Sequence, residues 1–78
     1  MTRDDIRLSP LQRDALTWLA VSPMFHEVTG WTVYAHQGKT FNTHTIHWLV
    51  RQGLASIATG EAEITDAGRA MVEQIERE

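Results

Sequence analysis

The 78 residues carry seven Lys/Arg against ten Asp/Glu, a formal net charge of −3, with 42% hydrophobic and 22% charged side chains. That balance fits one small globular domain with a modest core, and no apolar run reaches the ~20 residues needed to span a bilayer. The chain has no cysteine, which excludes disulfides, thiolate-bound metal and thiol catalysis; with no basic leader followed by an apolar stretch, a cytoplasmic location is expected.

Met1 to Arg7 is polar and charged and is expected to form a mobile arm. Ser9-Pro10 then opens a helix, Ser9 as N-cap and Pro10 at the first position, where its missing N–H costs nothing. Leu11, Ala15, Leu16, Trp18 and Leu19 repeat at helical spacing toward the core, with Arg13, Asp14 and Thr17 on the other side. Ser22-Pro23 stops this helix, giving a span of 10–21. In the next segment Met24, Phe25 and Val28 can make one helical turn, Gly30 interrupts, and Trp31-Thr32-Val33-Tyr34 favours a short strand. A helix over 27–36 is the alternative, opposed by Gly30 and the β-branched residues. Gln37-Gly38-Lys39 reads as a turn.

A second helix is predicted over 43–52. Asn42 or Thr43 can cap it, and Gly53 suits the left-handed position just past its end. Ile46, Leu49 and Val50 form its apolar stripe, and the opposite face carries His44, His47, Trp48 and Arg51. Residues 54–64 read as a hairpin turning at Thr59-Gly60, with Glu61 and Glu63 outward and Ala62 and Ile64 inward. Thr65 or Asp66 caps a last helix over 66–77. Ala67, Met71 and Ile75 line its inner stripe, while Arg69, Glu73 and Arg77 face solvent at i, i+4 spacing.

Charge is unevenly spread. Residues 1–53 hold five Lys/Arg against four acids, whereas residues 54–78 hold two against six. Duplex affinity comes largely from neutralising phosphates, and this chain has few cations to give.

The order helix, strand-prone middle, helix, hairpin, helix provides a layout. Within it stand Thr45-Ile46 then Leu49-Val50, Gln52-Gly53-Leu54 leading into the hairpin, and Ile64-Thr65-Asp66-Ala67-Gly68-Arg69 after it. This resembles the winged helix-turn-helix domains of bacterial regulators, MarR-like and PadR-like ones among them. There a recognition helix ends in a Gly-Leu step into a strand, and an (L/I)-T-x-x-G-R element opens the following helix. The likeness covers residues 42–72. It implies an α+β winged helix with three main helices and a small antiparallel β-hairpin wing, and a DNA-binding, transcription-regulatory role of bacterial or phage type. The chain departs from the pattern in three places. Ala35, Gly38 and Ile46 do not keep the spacing of a standard helix-turn-helix, the wing carries Glu61 and Glu63, and the central helix has only Arg51 as a permanent cation.

On the DNA reading, Asn42, Thr43, His44, His47 and Arg51 meet the major groove, because Asn pairs with adenine and Arg with guanine, while Lys39 and Arg13 are the phosphate contacts. The alternative is a winged-helix interaction module, an inhibitor, adaptor or nucleic-acid mimic. It would bind a protein partner or a second copy through His44, His47, Trp48 and Arg51 or through the acidic wing, Glu61 and Glu63. His44 and His47 share a helical face, but a metal needs three or four converging ligands, so they read as surface histidines and no cofactor is expected. Ser9 and Ser22 are cap and turn residues, no nucleophile–base–acid set is evident, and no enzyme activity is expected.

Overall fold

The computed structural model describes residues 7–77; the arm expected at Met1–Arg7 lies outside them apart from Arg7, which is exposed. Local capping places the helices. Ser9 Oγ accepts from the Gln12 amide at 3.2 Å while the Gln12 side chain accepts from the Ser9 amide at 2.9 Å. This reciprocal pair satisfies two otherwise orphaned donors and starts α1 (Pro10–Val21). Ala15, Leu16 and Leu19 are its buried face. Leu11, expected inward, lies on the first turn and is 47% exposed. Trp18 is partly buried at the rim of the core.

The segment 24–41 is where the structure departs most from the sequence reading. It holds three strands: β1 (Met24–Glu27), β2 (Gly30–Val33) and β3 (His36–Phe41). Met24 and Phe25 do not make a helical turn. They pair antiparallel with Val33 and Thr32, which also removes the alternative helix over 27–36. Gly30 makes the tight return possible. Its φ of 136° is closed to L side chains, and a Cβ there would strike the Phe41 carbonyl. The Gln37-Gly38-Lys39 turn is absorbed into β3 as an irregularity, since Thr32 faces Thr40 while the next residue, Val33, faces His36.

Next come α2 (Thr43–Arg51), β4 (Ala55–Ala58), β5 (Glu61–Ile64) and α3 (Asp66–Glu76). The hairpin turns at Thr59 (φ 51°) and Gly60 (φ 80°), the two positive angles of a type I′ turn. The hairpin does not stand alone as expected. It joins the other strands in one five-stranded antiparallel sheet of order β3-β2-β1-β5-β4, through β1 pairing with β5. The fold is therefore α+β, three helices against one sheet.

Cross-strand partners share a face. Met24, Trp31, Val33, Phe41, Ala55 and Ala62 turn toward the helices and are buried. They close on Leu16, Ile46, Leu49 and Leu54, giving one core cluster. The opposite face carries Phe25, Glu27, Thr32, Thr40, Glu61 and Glu63. No helix among the described residues is long and apolar enough to cross a membrane.

Candidate nucleic-acid interface

Helix α2 is set by its two ends. Asn42 Oδ1 accepts from the Thr45 amide at 2.7 Å, so Asn42 is the N-cap and its oxygen is already engaged. At the other end the Gly53 amide bonds to Val50 O at 3.0 Å and the Leu54 amide to Leu49 O at 3.0 Å. With Gly53 at φ 77°, these two bonds form a Schellman motif, and Leu54 and Leu49 supply the apolar contact that goes with it.

Between the ends, Thr45, Ile46 and Leu49 are buried, and Val50 packs against the core from one flank. His44, His47 and Arg51 are exposed along the opposite stripe. Trp48 is not part of that outward stripe as the projection suggested; it is half-buried and packed on the core. At ~100° per residue Trp48 falls midway between Arg51 and Thr45, and a large indole at a flank leans inward to cover apolar surface. Thr43 is half-buried at the first turn. The helix contains no carboxylate, and Arg51 sits in its last turn, where it also complements the negative end of the helix dipole.

The expected phosphate contacts lie elsewhere. Lys39, in the irregular part of β3, forms an ion pair with Asp14 of α1 at 3.1 Å and lies over the Phe41 ring, 5.6 Å from its centroid. Its charge is thus partly answered within the chain. Arg13 is half-buried on α1. His36 stacks edge-on against Trp18, with centroids 5.5 Å apart. Among the described residues no three His, Asp or Glu side chains are grouped to hold a metal ion, so His36 does not join His44 and His47.

Apart from the outward Glu61 and Glu63, the open face of the sheet was not singled out from sequence. Phe25 and Tyr34 stack with centroids 4.6 Å apart, and the Tyr34 hydroxyl donates to Glu61 at 2.9 Å. Thr32 donates to Glu27 at 2.6 Å, so its single proton is used, and the 3.2 Å contact with Thr40 has Thr40 donating. Glu61 and Glu27 are therefore oriented carboxylates, while Glu63 is exposed. Only β-pairing across 27 residues brings Tyr34 to Glu61, and no local pattern announces it.

Strand direction collects several features at one end of the sheet. The β1–β2 turn (Val28, Thr29) and the β4–β5 turn (Thr59, Gly60) both lie there, because β1 runs toward its own turn alongside the start of β5. The His26 amide bonds to Gly60 O at 3.4 Å, tying the two turns together. The position of a Cβ on Gly30 is 3.2 Å from Asn42 Cα, so the N-terminus of α2 opens beside the β1–β2 turn.

Comparison of the chain with family models, with curated proteins and with solved structures finds no match.

Proposed function

We propose that this chain is a small winged-helix DNA-binding module that uses α2 as its recognition helix and acts in transcription regulation of bacterial or phage type. The observation that carries the reading is the make-up of α2. In a chain of net charge −3, this helix has no carboxylate and presents His44, His47 and Arg51 together on its exposed stripe. The positive end of its dipole is likewise unopposed by an acid in the first turn. The Gly53-Leu54 step into β4 and the Thr65-to-Arg69 element at the start of α3 support the same reading, since they brace α2 against the hairpin as the resemblance implies.

A module with so few free cations binds weakly, and a dimer on two half-sites doubles its contacts. Binding measured by fluorescence anisotropy on a generic duplex should weaken with a log–log salt slope of about −1 to −3, as one to three neutralised phosphates require. Arg51→Ala should make that slope shallower by about one unit. Salt-independent association, or an unchanged slope in Arg51→Ala, contradicts the assignment.

A second reading is a winged-helix protein-interaction module, an inhibitor or adaptor. The carboxylates Glu61 and Glu63 on the hairpin favour it, because they make the open sheet face opposite α2 an acidic surface that a basic protein partner would meet. Retained partner binding in Arg51→Ala together with its loss in Glu61→Lys would select this reading instead.

A further inference from the structure

Val28 is the most exposed apolar side chain of the described residues, at 104% of its reference area, and it occupies a two-residue turn between Glu27 and Gly30. Turns favour Gly, Asn, Asp, Ser and Pro, and a β-branched apolar residue at a tip gains nothing from the fold. Its cost in water is unrelieved by packing against the described residues. The tip does not stand apart from the helix proposed to meet DNA. Gly30, the residue that closes the turn, backs onto the Phe41 carbonyl and approaches Asn42 Cα, the N-cap of α2. Val28 and Thr29 are thus presented beside the first turn of α2, at the end of the sheet that also carries Thr59 and Gly60.

We infer that the β1–β2 turn is a second reading element beside α2, and that Val28 takes the C5-methyl group of thymine in the major groove. The inference rests on the DNA reading of α2 and deepens it. The N-terminal residues of a recognition helix are those that reach base edges, so a neighbouring tip enters the same groove. Within that groove the thymine methyl is the apolar feature, and it is read by small apolar side chains rather than by hydrogen bonds. Thr29, adjacent on the tip, supplies a hydroxyl for a phosphate or base edge. The carboxylate that precedes the turn, Glu27, is held on the sheet's open face by the Thr32 hydroxyl and is thereby directed away from the helix side.

The experiment compares binding to alternating poly(dA-dT) and poly(dA-dU) duplexes at low salt, which differ only in the C5-methyl group. Wild type should prefer the thymine polymer by about fourfold, the transfer value of one methyl-sized group. Val28→Ser should lose that preference while keeping its affinity for the uracil polymer. Val28 is fully exposed among the described residues, so the variant should give an unaltered circular dichroism spectrum. Equal wild-type affinity for both polymers, with binding still reduced by Arg51→Ala, overturns the role of Val28 and leaves α2 standing. An equal loss on both polymers in Val28→Ser also overturns it. No binding to either polymer overturns both readings.

Discussion

Tyr34 is the only tyrosine of the chain, and its hydroxyl donates to the Glu61 carboxylate on the open face of the sheet. That hydrogen bond raises the phenol above its ordinary value, with desolvation and the repulsion between phenolate and carboxylate adding in the same direction. The folded phenol therefore keeps its proton to higher pH than the unfolded one. Its contribution to stability is fully present below the ordinary tyrosine value of about 10 and is lost as pH rises through the folded value. A spectrophotometric titration has a single phenol to follow. It should give a midpoint above that of free tyrosine, moving back toward it in Glu61→Ala; an identical midpoint in both proteins contradicts the contact. Two other residues carry local costs. Thr59 accepts a left-handed φ of 51° so that the β4–β5 turn can match the twist of its strands. Among the described residues the buried Trp31 indole nitrogen has no hydrogen-bond partner, so its place in the core rests on apolar area and on its ring contact with His26.

At the scale of elements, α2, the hairpin and α3 are locked at one junction. The Thr65 hydroxyl donates to Gly53 O at 2.6 Å and accepts from the Gly68 amide at 3.1 Å, and the Thr65 amide donates to Leu54 O at 3.1 Å. A Cβ on Gly68 would collide with that same Leu54 carbonyl. Alanine favours a helix interior by about 1 kcal/mol over glycine. Here Gly68→Ala should nonetheless destabilise by about 2 kcal/mol or more, since the carbonyl belongs to backbone that cannot yield. Urea unfolding measures this, and a neutral or stabilising effect would show that α3 does not approach Leu54 so closely. This junction was legible in sequence because every signal in it is local: a cap, a helix stop, a glycine at fixed spacing. The same holds for the limits of α1, α2 and α3. Residues 24–41 were not legible for the opposite reason. Met24 is a strand residue only because Val33 and Ala62 lie on either side of it, and the second of these is 38 positions away. Its own neighbours in sequence suit a helical turn equally well. Trp48 shows a subtler limit: projection placed it outward, but the size of its side chain lets a flank position cover the core.

The molecule as a whole is divided by its sheet. Helices cover one face, with Arg51, His44 and His47 outward on α2; the other face carries Glu27, Glu61 and Glu63. The charge asymmetry read from sequence is thus partly an asymmetry of faces. That division limits how a polyanion could approach. On the proposed reading, a polyanion would be repelled from the open sheet face and would be met along α2 and the sheet end where Val28 and the N-terminus of α2 lie. Location discriminates better than strength, because weak binding to a small module is easily imitated by non-specific charge. Titration of 15N-labelled protein with generic duplex DNA at low salt reads location directly. The account predicts amide shifts centred on residues 42–51 and extending to 28–30, with 25–27 and 61–63 still; no movement at low salt, or movement centred on the sheet face, contradicts it.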